Sequence, residues 1–125
     1  NFEKHIYQNG THILKFFLNL SKEEQKERLL ARLNEPEKNW KFSSADLTAR
    51  AQWDDYQKAY EEMIEKTSTE YAPWHVIPAD KKFFARVAIG EIIVEKLKSL
   101  DLRYPEGESA EDLQKAKAML MSEKE

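Results

Sequence analysis

The stretch HILKFFLNLSKEE, residues 12–24, joins two hydrophobic patterns end to end. His12–Leu20 is a dense apolar run with branched and aromatic side chains, short enough for a buried strand. Ser21-Lys22-Glu23-Glu24 follows at once and matches the S-x-x-E capping box. In that motif the serine hydroxyl accepts the amide of the third residue on, so a helix is expected to begin there. A strand running straight into a capped helix is the building unit of an α/β sheet.

Upstream, Phe2 to Asn9 reads as the end of a helix, closed by Gly10, the residue best suited to a left-handed cap. Downstream, Leu29, Leu30 and Leu33 supply the buried stripe of the first long helix, and Pro36 forbids its continuation much past Asn34. Ser43 or Ser44 caps the next helix, which runs with a break to Lys66. Trp53, Tyr56, Tyr60, Met63, Ile64 and Thr67 recur there at helical spacing and predict core packing. Trp74–Ile77 reads as a second short strand closed by Pro78. Asp80 is then expected to cap a long, mostly apolar helix over about Lys81–Leu100, and Ser109-x-x-Asp112 restarts a polar, peripheral one.

Strand, helices, strand, helix is the order of a parallel arrangement with a right-handed crossover. Two strands make a poor parallel sheet, because such sheets are covered on both faces. The expected fold class is therefore α/β, mostly helical in this stretch, corresponding to the C-terminal half of a larger parallel-sheet domain whose other strands precede Asn1.

The totals exclude several functions. No cysteine is present among the 125 residues, which removes disulfides, thiolate metal sites and thiol catalysis, and fits a reducing, cytoplasmic location. The net charge of −3 offers no basic field to nucleic acid or an acidic membrane surface, so neither is an expected partner. No apolar run approaches the roughly 20 residues that span a bilayer. His5, His12 and His75 lack metal-ligand spacing. The three glycines, Gly10, Gly90 and Gly107, form no phosphate-cradling loop.

What remains is local basic chemistry. Arg28 and Arg32 lie four apart and leave one helix face. Guanidinium forks suit phosphate oxygens, yet Glu24 and Glu35 stand one turn away, and spacing alone favours a solvated, ion-paired face. Lys38 and Lys41 follow on the proline-broken loop, with Trp40 between them either stacking on a base or, as is commoner, anchoring the loop to the core. Arg50 has Asp54 one turn later to neutralise it. Asp80, Lys81 and Lys82 fall just past the second strand, where open α/β sheets bind ligands, and Arg86 lies one turn beyond.

Taken together, KEEQKERLLARLNEPEKNWKFSSADLTARAQWDDYQKAYEEM (22–63), TSTEYAPWHVIPADKKFFARVA (67–88) and LKSLDLRYP (97–105) closely resemble the polyphosphate kinase 2 family. The resemblance implies a P-loop kinase fold and transfer of phosphate between inorganic polyphosphate and nucleoside mono- or diphosphates, as in the conversion of ADP to ATP, with Mg2+. It assigns residues 1–105 to that domain, with a helical lid over about 21–67, the last strand and helix over about 74–100, and a peripheral tail over 106–125. The Walker A loop and Walker B aspartate lie upstream in the family, so the Mg2+ ligands are expected outside this chain. By the same resemblance Arg28 and Arg32 are catalytic lid arginines. Lys38, Trp40 and Lys41 line the polyphosphate path, Asp80 and Lys82 lie near the nucleotide, and Arg86, on the family's A-R pair, is either substrate-binding or structural. Lys81 departs from the second aspartate common there. A homo-oligomer, or a partner supplying the N-terminal half, is expected, and the chain alone is expected to be inactive. The competing reading is a non-catalytic helical interaction module.

Overall fold

The computed structural model describes residues 1–124. They fall into two compact units, Asn1–Glu95 and the residues from Lys96 onward. The fold is mostly helical around a small parallel sheet of two strands.

α1 (Phe2–Gln8) opens on Asn1, whose side chain accepts the Glu3 amide at 3.0 Å. It closes as expected at Gly10. With φ at +93°, that residue lets its own amide reach the Tyr7 carbonyl at 3.0 Å and the Thr11 amide reach Ile6 at 3.0 Å. These two bonds satisfy carbonyls that the last helical turn leaves open. β1 covers Lys15–Asn19, shorter than the apolar run, because only residues facing a partner join the ladder. That partner is β2 (Trp74–Pro78), parallel, with Lys15 opposite Trp74 and Asn19 opposite Pro78. The Ala79 amide adds one more bond to the Asn19 carbonyl at 2.9 Å.

α2 (Lys22–Asn34) begins at Ser21, whose hydroxyl accepts the Glu24 amide at 3.1 Å. Only half of the capping box forms. The Glu24 carboxylate turns to Arg28, and the Ser21 amide is taken by Asp80 Oδ1 at 2.7 Å. Leu29 is buried, but Leu30 and Leu33 are exposed, so the expected stripe narrows to one buried residue. Pro36 opens a 3₁₀ turn, Pro36–Lys41, and α3 (Ala45–Ala51) and α4 (Trp53–Thr67) follow with a break at Gln52. α5 (Lys82–Ser99) starts in the first unit and ends in the second, which also holds α6 (Ala110–Ser122).

The core sits where α5 crosses the sheet. Ile77, Ala79 and Ala85 are buried there, with Phe16, Ala88, Ile89 and Ile92 packed around them. On the other side of β1, Phe17 meets Tyr60 of α4, ring centroids 5.0 Å apart, and Tyr56 adjoins Tyr60 at 6.1 Å. The aromatic stripe thus packs partly against the sheet and partly faces solvent, Tyr56 being exposed. At the amino end of the strands, Lys15 Nζ binds Glu3 at 3.1 Å and the Thr67 carbonyl at 2.6 Å, which joins β1 to α1 and α4. No described helix is long and apolar enough to cross a membrane.

Candidate functional site

The carboxyl ends of β1 and β2 lie side by side because the strands are parallel, and a cleft of about 610 Å³ opens outside them. Asn19, Leu20 and Ser21 line it from one strand end, Pro78, Asp80 and Lys81 from the other, with Trp53 and Gln57 of α4 and Phe84 of α5. This is the edge at which open α/β sheets take ligands.

Asp80 does not cap α5. The hydrogen bond from the Ser21 amide is the main reason its carboxyl lies below the usual aspartate range, followed by the Ser21 hydroxyl and, more weakly, the Arg28 charge. The strand ends thereby reach for each other: Asp80 supplies the acceptor that Glu24 would give in a complete capping box. Arg28 closes the arrangement. Its Nε donates to Glu24 at 3.1 Å, and its Nη2 donates to the carbonyls of Ala79 at 2.9 Å and Asp80 at 3.2 Å. The expected local ion pair forms, but the same guanidinium also reaches the backbone just after β2, behind the residues that line the cleft.

Arg32, one turn on, does not reach the rim. Its Nη1 lies 3.5 Å from the Lys41 carbonyl and 3.9 Å from Asp46 Oδ2, rather than beside Glu35. Glu35 instead binds Lys38, an ion pair that raises the Lys38 pKa, chiefly through the hydrogen bond. Arg50 ignores Asp54 and donates to the Lys22 carbonyl at 2.7 Å and Gln25 Oε1 at 3.0 Å, fastening α3 to α2.

Trp40 is 79% exposed, with Lys41 Nζ 5.4 Å above its ring. A buried ring therefore does not pin the loop. Asn39 does so, donating to the Arg32 and Leu33 carbonyls at 2.7 and 3.1 Å and so closing the end of α2. Lys82 and Arg86 are exposed, and among the described residues neither has an ion-pair partner.

The structure thus brings Arg28 and Asp80 together at the strand ends. Arg32, Lys38, Trp40 and Lys41 gather at the far end of α2. Sequence reasoning missed Ser21 and Lys22 as rim residues, although the strand-end rule that pointed to Asp80 applies equally to the residues after β1. Trp53, Gln57 and Phe84 carried no such signal, since only the packing of α4 and α5 brings them to the cleft. Among the described residues no three His, Cys, Asp or Glu side chains stand close enough to hold a metal ion. The cleft carries both signs of charge, Lys22 and Lys81 beside Glu23 and Asp80.

The model of the family described as Polyphosphate kinase 2 (PPK2) matches residues 1–105. This chain belongs to the polyphosphate kinase 2 family. It is 55% identical over 106 residues to an ADP-polyphosphate phosphotransferase of Rhodopseudomonas palustris, covering 85% of this chain and 37% of that relative. It is 54% identical over 125 residues to an uncharacterized protein in the chlN 3′ region of Leptolyngbya boryana, covering 98% of this chain and 92% of the other. The crystal structure of polyphosphate kinase 2 from Arthrobacter aurescens TC1 superposes with a TM-score of 0.86 at 47% identity, over 95% of this chain and 43% of that one. The chain therefore spans well under half the length of the two relatives named as kinase or phosphotransferase. Both groups of residues, Arg28 with Asp80 and Arg32 with Lys38, Trp40 and Lys41, lie inside the matched span, whereas α6 lies beyond it.

Proposed function

We propose that this chain contributes the phosphate-embracing side of a polyphosphate-dependent phosphotransferase, which moves phosphate between inorganic polyphosphate and nucleoside mono- or diphosphates. The observation that carries the reading is Arg28, held against the carbonyls at the strand ends of a chain whose residues 1–105 match the polyphosphate kinase 2 family. Phosphoryl transfer passes through a loose, metaphosphate-like state that needs charge neutralisation and alignment more than covalent help. Arg28 engages protein acceptors through Nε and Nη2, which leaves the two Nη1 hydrogens as donors for phosphate oxygens. Being tethered, it acts as a preset donor, and reorganisation at the moment of transfer is small.

Arg32, Lys38 and Lys41 extend the cationic surface away from the rim, a geometry suited to a polyanion longer than one nucleotide. Trp40, exposed beside Lys41, covers that path. Asp80 orders the rim, and Lys82 and Arg86 face the nucleotide phosphates. Magnesium, held by groups outside the described residues, supplies further neutralisation of the phosphates when bound. Location in the cytoplasm belongs to the same reading.

The test is polyphosphate binding to the chain by calorimetry at two salt concentrations. Binding should weaken with salt, as counterion release requires. The double substitution Arg32→Gln with Lys41→Gln should weaken it roughly tenfold, the loss of two screened charge contacts. Equal affinity in the double variant overturns the reading. Phosphotransfer is read separately as ATP formed from ADP and polyphosphate. Residues 1–125 alone should form none, and ATP above the background of an Arg28→Gln control would refute that expectation.

A further inference from the structure

The cleft outside the strand ends is walled by two aromatic side chains from different helices. Trp53 opens α4 and is half-buried, while Phe84 lies in the first turn of α5 and is 52% exposed. Gln57, one helical turn after Trp53, lines the same cleft. Its amide offers both a donor and an acceptor, and among the described residues no hydrogen bond engages it. Gln25 of α2 differs, since its Oε1 accepts from Arg50 at 3.0 Å. Leu20 and Pro78 complete the apolar lining, and Lys22 and Lys81 bring cations to it. The volume of about 610 Å³ falls within the range of small-molecule sites. Trp40 does not line this cleft.

We infer that Trp53, Phe84 and Gln57 form the seat for the base of the nucleotide substrate, and that this base is a purine carrying an exocyclic amine, as adenine does. A nucleobase is a flat ring with an apolar face and a hydrogen-bonding edge. Aromatic side chains stack on such faces, and the gain grows with the area overlapped, so two fused rings suit this wall better than one. Gln57 reads the edge. Its carbonyl oxygen accepts from the amine and its N–H donates to the ring nitrogen beside that amine, the paired contact by which glutamine recognises adenine. Lys22 and Lys81 stand in the same cleft for the phosphate end, whereas Asp80 Oδ1 is already taken by the Ser21 amide. The inference rests on the functional reading above and adds the groups that hold the base and the chemical feature they select.

The experiment uses residues 1–125 carrying Trp40→Phe, so that Trp53 in the cleft and Trp74 at the amino end of β2 are the fluorescent reporters. The protein is titrated with AMP and with purine riboside 5′-monophosphate, which has hydrogen in place of the amine. AMP should quench the emission, and Trp53→Leu should abolish the quenching. AMP should bind about tenfold more tightly than the amine-free analogue, the worth of one paired edge contact. Gln57→Leu should remove that difference while the quenching remains. Circular dichroism checks that both variants fold, and should Trp53→Leu fail to do so, Gln57→Leu decides alone. No quenching at millimolar AMP overturns the proposal, as do quenching that persists in folded Trp53→Leu and a preference for AMP that survives Gln57→Leu. Equal affinity for the two nucleotides before Gln57 is changed overturns it as well. Polyphosphate binding to the same protein is read separately by calorimetry. Polyphosphate bound without AMP at Trp53 sinks the base seat and leaves the functional reading standing. AMP at Trp53 without polyphosphate binding does the reverse.

Discussion

Arg28 and Arg32 show how two identical side chains one helical turn apart acquire different duties. Arg28 is held by three acceptors, two of them carbonyls 51 and 52 residues away in sequence. Arg32 has one distant carboxylate and one long carbonyl contact. Hydrogen bonds to a charged group contribute about 1.5–3 kcal/mol when well shielded, and the partial exposure of Arg28 reduces that. Arg28→Gln should therefore destabilise the chain by about 1 kcal/mol in urea unfolding, whereas Arg32→Gln should stay within about 0.5 kcal/mol. Asp80 makes a second residue-scale prediction. Its folded pKa lies below that of a free aspartate, so near pH 4 the unfolded chain binds more protons than the folded one. Its contribution to stability is complete above the ordinary aspartate value and is lost as pH falls through the depressed one. Carboxyl NMR should place the Asp80 midpoint below that of an aspartate in a short peptide. Arg28→Gln should raise it less than loss of the Ser21 amide donor does, because that hydrogen bond is the larger cause.

At the scale of elements, the junction after α2 depends on Asn39 rather than on the tryptophan beside it. The Asn39 amide closes two carbonyls that a helix end leaves open, a role worth about 1 kcal/mol. Asn39→Ala should lower the unfolding free energy by about that much, and Trp40→Phe should change it by less than about 0.5 kcal/mol. Fluorescence offers a direct check. Trp53 and Trp74 are half-buried while Trp40 is exposed, so Trp40→Phe should remove the component most accessible to iodide. If quenching is unchanged, the 3₁₀ turn packs differently in solution. The elements themselves were largely legible. Pro36 ends α2, Gly10 closes α1 and Ser21 opens α2, since each signal acts through atoms a few residues away. The partners of Arg32 and Arg50 were misjudged where a carboxylate one turn away competed with a carbonyl, carboxylate or amide brought in by folding.

At the scale of the whole molecule, the described residues bury few large side chains. Leu29, Ala72, Ile77, Ala79 and Ala85 make up the buried apolar set, three of them alanines. Ile77→Ala should therefore cost a large share of the stability, about 2–4 kcal/mol, and unfold much of the population at room temperature. Phe83, Val87 and Val94 are exposed along α5, so the chain should bind an apolar dye, and Val87→Lys with Val94→Lys should lower the dye signal about twofold. An unchanged signal would mean that the dye binds elsewhere. Read alone, the order of residues was enough for the parallel strand–helix pattern, the family and the places where helices begin and end, because periodicity and capping are local properties of the chain. It was silent on Asp80 answering Ser21 and on Arg28 spanning from α2 to the residues just after β2. Those depend on distances between segments some 50–60 residues apart, which exist only after β1 and β2 have paired and drawn their carboxyl ends together.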